Sequence, residues 1–358
     1  MTYDHKNQYR CTIVRGKALN DLDNLLPTYA QIIDDICPCS DEDFRSGFNS
    51  KLAGYLAIST EKTLNNHRTE IAGKLFGMYF MDSNEIVYPS PRTLKLLEDS
   101  DQPAFFKDLL LKYQFPSGMS KMNTVIEQLD AGIGVRQLSV AMCTIFEASK
   151  LSMNLTKKEL GYYVLNSFDV LSGSANTEEI LSQIIEDRKN SISREISVPG
   201  KELSYNYQHI NEQINLLMLA NLIYVHGDEI IINRGEAKYI EYLISFCYQP
   251  PEFDFNKYRL DELEERKKAN FEWDMFFATP TNIDDAKISD LDKRRVLKAL
   301  ENTLATKGFS ASETPEVLVN FHTKAEKNVR VSESYLGWGS PFYGPYGGWG
   351  WGWGFNRP

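Results

Sequence analysis

The sequence has few of the residues on which metal-binding and disulfide-bonded proteins depend. Its five cysteines are an odd number, and only Cys37 and Cys39 lie close together, separated by one proline. That spacing yields neither a zinc ligand set nor a disulfide framework, so we predict a reduced protein with no metal site. The five histidines are scattered. No phosphate-binding loop, nucleophile elbow or zinc motif occurs, so catalytic residues stay unassigned.

Long apolar runs are missing as well. No stretch approaches the length that spans a bilayer, and the N-terminal residues MTYDHKNQYRC contain no apolar run that would serve as a signal peptide. We therefore expect a cytoplasmic protein without a membrane partner. With 358 residues, of which 42% are apolar, the chain is long enough for two or three compact units with separate cores.

Basic residues are in the minority, because 39 Lys and Arg stand against 49 Asp and Glu, for a formal net charge of −10. Proteins that hold nucleic acid by bulk electrostatics normally present a basic surface. A nucleic-acid site here must be a local basic patch; the alternative is that the short basic stretches are ordinary solvated surface. The two stretches contain Arg10, Arg15 and Lys17 and, further on, Lys62, His67, Arg68 and Lys74.

Helical periodicity and a turn signal define a first unit. Apolar residues recur at helical spacing from residue 18 to the break at Pro38, again from Phe44 to Ile58, and a third time after Ser59 and Thr60, which offer N-cap oxygens. Two strand-like runs, FGMYF and EIVYP, follow around the turn MDSN. This order of three helices and a hairpin predicts a winged helix-turn-helix.

The same order recurs in the second half. A capping box from Thr156 to Glu159 opens TKKELGYYVLNSFDVLSG, and the helical segments TEEILSQIIEDRKN and SYNYQHINEQINLLMLANL come next. The hairpin IYVHGDEIIIN turns at Gly227 and Asp228. Between the two copies lies an aromatic group that we expect to pack their junction, made of Phe105, Phe106, Tyr113 and Phe115.

These patterns predict a mainly α fold with small β wings. The expected domains are a first winged-helix unit with an N-terminal arm over 1–120, a second over 121–282, a partial α+β segment over 283–332 and a low-complexity Gly/Trp/Tyr tail over 333–358. In the third segment we predict a helix from Ile288 to Phe309 and a strand in EVLVNFHTK. The tail's composition cannot supply a conventional core of its own.

A helix that recognises bases in the major groove must present paired hydrogen-bond donors and acceptors near its N-terminus. The helix from Thr60 carries a polar run of Lys62, Thr63, Asn65, Asn66, His67 and Arg68, and the second candidate helix carries Ser204, Tyr205, Asn206, Gln208 and His209. The alternative is a solvated helix face, or tyrosines packed against the wing. The arm with Arg10, Arg15 and Lys17 would contact phosphates or the minor groove.

A hidden nuclease would need carboxylates and a lysine on adjoining strands to hold Mg²⁺. The short acid-x-Lys form occurs at Glu265 to Lys267 and at Asp285 to Lys287. The first lies in a mixed-charge helical run and the second follows a turn-like segment. Since neither sits on an apolar strand, we expect no active site at either.

Several long strings resemble the N-terminal recognition domain of the BpuJI family of type IIS restriction endonucleases, through about Phe277. They are QYRCTIVRGKALNDLDNLLPTYAQIIDDICPC, EKTLNNHRTEIAGKLFGMYF, DSDQPAFFKDLLLKYQFPSGM, YYVLNSFDVLSG, IIEDRKN and PGKELSY. The resemblance implies a monomeric module that binds double-stranded DNA at a short asymmetric site without a cofactor. A separate PD-(D/E)XK nuclease domain, which would need Mg²⁺, cuts nearby in the family, and the chain downstream of residue 280 does not resemble it.

Residues 283–332 instead resemble part of a bacterial domain of unknown function that is associated with lipoproteins. A natural fusion and an artificial join both remain open. The alternatives to a lone recognition module are a complete endonuclease whose cleavage domain has diverged or is supplied in trans, and an envelope-associated interaction protein acting through its C-terminal segment.

Overall fold

The computed structural model describes residues 8–11, 13, 22–57, 60–196, 201–279, 310–311, 317–323 and 349–356. Backbone contacts divide the chain into two compact units. One comprises Met1–Glu98 with Gln102–Thr281, and the other Asp99–Asp101 with Asn282–Pro358. Among the described helices, none has both the length and the apolar character to cross a bilayer. The fold is mainly helical with small antiparallel sheets, as predicted.

The first three-helix unit buries one face of each helix against a small sheet. In α1 the residues Leu22, Leu25, Leu26, Tyr29 and Ile33 recur at helical spacing and are almost fully buried. The strand order is β1-β3-β2, so the last strand lies between the other two. The elements are α1 (Leu22–Ile36), β1 (Cys39–Ser40), α2 (Asp41–Leu56), α3 (Glu61–Asn65, continued as a π-helix over Asn66–Leu75), β2 (Tyr79–Met81) and β3 (Ile86–Pro89).

Within the same compact unit, residues 137–232 form a second helix-and-sheet unit that repeats this order. It has two additional helices before its last long helix. Its sheet has the same topology, β4-β6-β5. The predicted capping box is confirmed, because the Thr156 hydroxyl accepts from the Glu159 amide while the Glu159 carboxylate accepts from the Thr156 amide. The elements are α7 (Gln137–Lys150), β4 (Leu155–Thr156), α8 (Lys157–Leu160, continued as a π-helix over Gly161–Leu165), α9 (Phe168–Leu171), α10 (Thr177–Lys189), α11 (Lys201–Leu219), β5 (Ile223–His226) and β6 (Glu229–Ile232).

The tight turn of the second hairpin is also confirmed. His226 pairs with Glu229, so the loop holds only Gly227 and Asp228. Gly227 has φ of +61°, a left-handed conformation that a two-residue hairpin loop requires and that costs glycine little. In both units a hairpin follows the last helix, and the two sheets have the same strand order with the last strand in the middle; the winged helix-turn-helix stays a prediction.

The aromatic group at the junction forms core, as expected. Phe105, Phe106, Tyr113 and Phe115 each expose less than 5% of their surface. The helices around this junction are α4 (Pro91–Asp99), α5 (Gln102–Lys112), α6 (Met122–Asp130), α12 (Ala237–Ile244) and α13 (Leu263–Ala278).

Residues near the N-terminus and in α13 each pack on the sheet-containing unit that is farther away in sequence. At the start of the chain, Tyr9 donates its amide to the Asn166 carbonyl at 2.7 Å, and so packs on the second unit. At the far end, Phe277 of α13 packs against Gly77 and Arg92 of the first unit, with its ring centroid 5.2 Å from the guanidinium. These contacts join residues on the two sides of the domain boundary near residue 120, which stays a prediction.

In the C-terminal unit the described residues form three strands in the order β7-β9-β8, with bounds β7 (Ser310–Ala311), β8 (Val317–Thr323) and β9 (Trp349–Asn356). The predicted strand in EVLVNFHTK corresponds to β8. Part of the low-complexity tail is also ordered as strand, because β9 pairs with β8 from Thr323 and Trp349 to Val317 and Phe355. The helix predicted from Ile288 to Phe309 lies outside the described residues.

Candidate nucleic-acid interface

The N-terminal half of α3 presents part of the predicted polar run. Lys62 is exposed, and Thr63 and Asn66 are half-buried. Thr60 begins the helix as predicted, but its side chain makes no capping bond; its carbonyl instead accepts from the amides of Thr63 and Leu64. Among these three residues Lys62 is therefore the most accessible to an outside partner.

His67 is not available in this way. It is only 8% exposed, and its Nδ1 is hydrogen-bonded to the hydroxyl of Tyr29 in α1. Desolvation lowers its pKa, which favours a neutral ring. The turn that carries His67 faces α1, so the structure places this histidine in the core, and its base contact stays a prediction.

Arg68 is also buried, against prediction, with 7% of its surface exposed. Its Nη1 donates to the Asn49 side-chain oxygen at 2.8 Å and to the Arg45 carbonyl at 3.3 Å, both in α2. Desolvation lowers the pKa of Arg68, although a guanidinium stays charged in proteins. The side chain therefore ties α3 to α2, and in this arrangement it does not reach outward to a base.

A polar cleft of about 590 Å³ opens where α2 and α3 meet. Asn65, another predicted contact residue, is half-buried in its lining and accepts at 2.9 Å from the Asn49 side chain. The lining residues are Asp41, Glu42, Arg45, Ser46, Asn49, Glu61, Asn65 and Arg68.

The predicted residues of α11 divide between two faces. Ser204, Tyr205 and Gln208 are exposed, with Tyr205 at 41%. Asn206 and His209 are buried: the Asn206 oxygen accepts from the Asn166 amide, and His209 Nδ1 accepts at 3.4 Å from the amide of Ile13. Successive helical residues are about 100° apart, so a polar run of six residues has to circle the helix. Asn206 and His209 therefore hold α11 against its neighbours, and their contacts with DNA stay predictions.

The exposed face of α11 continues beyond the residues that the sequence suggested. Lys201, Asn211 and Met218 are exposed on the same side as Ser204 and Gln208. The spacing 201, 204, 208, 211 follows helical periodicity, so extending the pattern one turn past Gln208 would have found Asn211.

The N-terminal arm is held at the start of α11. Arg10 pairs with Glu202 at 3.3 Å, and its side chain is 11% exposed. This ion pair and the bond from Ile13 to His209 attach the arm to the helix. Arg15 and Lys17 lie outside the described residues.

Of the two acid-x-Lys pairs considered for metal binding, the structure describes one, and it lies on a helix. Glu265 and Lys267 both lie on α13, and Lys267 pairs with Glu264 at 2.9 Å. Asp285 and Lys287 lie outside the described residues. Within the described part of the chain, no three His, Cys, Asp or Glu side chains are grouped as metal ligands.

Residues 3–274, which we term the recognition region, match a known family. The family model described as restriction endonuclease BpuJI, N terminal, matches residues 3–274. The chain belongs to the BpuJI N-terminal family. This family assignment agrees with a solved structure that is 48% identical, with a TM-score of 0.75, covering 78% of this chain and 100% of the other. That structure is described as pyrene- and phenanthrene-modified DNA in complex with the BpuJ1 endonuclease binding domain.

Beyond the BpuJI region, a second family model, a domain of unknown function (DUF4136), matches residues 249–358. This range is wider on both sides than the 283–332 segment that the sequence suggested, and its first part overlaps the BpuJI match. The comparison with curated proteins found no match.

Proposed function

We propose that the recognition region binds double-stranded DNA at a short asymmetric site, as the target-recognition module of a type IIS restriction endonuclease. The observation that carries this proposal is the 48% identity to a binding domain solved on DNA, over all of that domain. Both winged units retain an exposed polar helix face, which is the feature that a major-groove contact requires.

The two faces would have different roles. Ser204, Gln208 and Asn211 are exposed residues on successive turns of α11, and hydroxyl and amide side chains suit base edges. Lys62 is exposed at the start of α3, where a cation suits a phosphate. With a net charge of −10, most of the affinity must come from specific contacts, so we expect a modest dependence of binding on salt.

Binding itself would need no cofactor. Mg²⁺ would be required only for cleavage, by a nuclease domain or subunit supplied in trans or by a diverged one in this chain. We propose a cytoplasmic site of action, where such a module would meet DNA. The envelope-associated alternative has less support, because the DNA-bound relative aligns with more than three quarters of the chain.

The test is selection of bound sequences from a random duplex library with the full chain, in EDTA, followed by incubation of the selected DNA with Mg²⁺. We expect one short asymmetric motif and no cutting. Absence of any enriched motif would refute DNA-sequence recognition, whereas cutting would show that the chain contains a catalytic site. Gln208→Ala should weaken preference within the motif, and Gln183→Ala, on the exposed side of α10, serves as the matched control.

A further inference from the structure

The buried Arg68 has a consequence for what the cleft between α2 and α3 recognises. Arginine only donates hydrogen bonds, so the Asn49 group that meets Arg68 Nη1 at 2.8 Å must be its oxygen. The Asn49 nitrogen is then directed to Asn65, 2.9 Å away, where it must meet the Asn65 oxygen. The order donor, acceptor, donor, acceptor is set by chemistry at the arginine end, independently of how either amide is drawn.

We infer that Arg68 acts through Asn49 to hold the Asn65 side-chain oxygen toward Asn49 and its N–H groups toward the cleft, so that the cleft prefers the acceptor edge of a base, guanine O6 and N7 or thymine O4. This inference rests on the proposed function and names the chemistry of one contact within it. Arg68 is a positioning residue in this scheme, and Asn65 is the group that touches DNA.

This orientation disfavours the usual pairing of asparagine with adenine. That pairing uses the side-chain oxygen to accept from adenine N6 and the nitrogen to donate to N7. In Asn65 the oxygen is directed toward Asn49 and uses one of its two lone pairs there, so the oxygen and the nitrogen are not turned together toward an adenine. Guanine presents two acceptors at this edge and thymine one, and both match the N–H groups that remain.

The surroundings of Asn65 favour a base over a phosphate. Three carboxylates, from Asp41, Glu42 and Glu61, and the two guanidinium groups of Arg45 and Arg68 line the cleft, which leaves it a net charge of −1. A phosphate would enter against that charge, whereas the edge of a base is neutral.

The reader is also held rigidly. Thr69 donates its hydroxyl to the Asn65 carbonyl at 2.8 Å, and the Tyr79 hydroxyl donates to the Arg68 carbonyl at 3.1 Å. These bonds fix the helix backbone at both ends of the relay. A donor that is already ordered discriminates between bases without losing further conformational entropy on binding.

The experiment compares sequence logos selected from random duplexes by the full chain and its variants. Arg68→Met removes the donor and lets the Asn49 amide turn over, so we expect the preference for guanine or thymine at one position to fall by about tenfold, the value of a good base contact. Arg68→Lys keeps a donor and should retain the preference. Asn65→Asp replaces donors by acceptors and should shift the same position toward cytosine or adenine, whose amino groups donate.

Asn190→Asp is the matched control, because it adds the same charge at an exposed residue after α10. Unfolding curves of each variant separate altered recognition from loss of fold. An unchanged logo in both Arg68→Met and Asn65→Asp, or an equal loss of preference at every position, would overturn the relay while leaving the proposed function intact. Failure of the unmodified chain to enrich any motif would overturn the proposed function, and the relay with it.

Discussion

The ion pair between Arg92 and Asp108 supports a sharp prediction about stability. The two side chains are 2% and 7% exposed, and Arg92 Nε donates to Asp108 at 2.7 Å. Arg92 Nη1 also donates to the Phe76 carbonyl at 2.9 Å, and the guanidinium lies 5.2 Å from the ring centroid of Phe277. This single cation therefore connects α4 and α5 with the end of the π-helix and with α13.

Removing the carboxylate by Asp108→Ala leaves a buried guanidinium whose remaining hydrogen bond is to a carbonyl. Arg92 Nη2 already has no hydrogen-bond partner within the described residues. Breaking a buried pair from one side costs about 3–5 kcal/mol, because the remaining charge is stranded away from water. We expect that loss in the free energy of unfolding, measured by urea titration with far-ultraviolet circular dichroism, which follows the helical unit.

Two further variants test the reasoning. Removing both charges by Arg92→Met with Asp108→Leu should recover much of the loss, since apolar side chains of similar volume often replace a buried pair at little cost. The ion pair between Glu264 and Lys267 is exposed, because 81% of the Glu264 side chain and 64% of the Lys267 side chain are accessible. Breaking this pair by Glu264→Ala should lower the free energy of unfolding by about 0.5 kcal/mol or less. A loss from Asp108→Ala no larger than that of Glu264→Ala would refute the argument from burial.

Three other predictions concern packing, pH and DNA contacts. Gly118→Ala would place a Cβ 2.3 Å from the buried Trp273 ring and should destabilise the fold by about 1–3 kcal/mol in the same urea assay. Desolvation raises the pKa of Glu159, but hydrogen bonds from Arg188 and Thr156 outweigh it and hold the pKa below the usual value of 4.5. The carboxylate therefore stabilises the fold above pH 4.5, and this contribution is lost as the pH falls through the lowered pKa. Glu159→Gln should be less stable than the unmodified chain above pH 4.5, and unfolding at several pH values should show the difference vanish in acid. Lys62→Ala should weaken binding to all sequences alike and reduce the salt slope by about 1, measured by titration at several salt concentrations.

Local features of this fold were determined by the sequence alone. Helical periodicity located α1, α2, α10 and α11, the capping box began α8 at the predicted residue, and the Gly227 and Asp228 turn set the register of the second hairpin. Each depends on interactions within a few residues, so distant partners have no part in them. The family, too, is indicated by strings of sequence that are long and distinctive in themselves.

The accessible side of each candidate helix was decided only by tertiary structure. The predicted contacts on α3 and α11 were all polar, but His67, Arg68, Asn206 and His209 face other elements, whereas Ser204 and Gln208 face outward. A polar residue can be buried when a distant partner satisfies it. Here those partners are Tyr29, Asn49, Asn166 and the amide of Ile13.

The packing of the N-terminal arm and of α13 was likewise decided by tertiary structure. The N-terminal arm, expected with the first winged unit, packs on the second, and α13 returns to the first. Sequence order does not encode such a crossing, because it depends on which surfaces remain uncovered once both units have folded. The sequence by itself thus determined the elements and the family, and the packing of distant segments decided which of their polar side chains remain available to DNA.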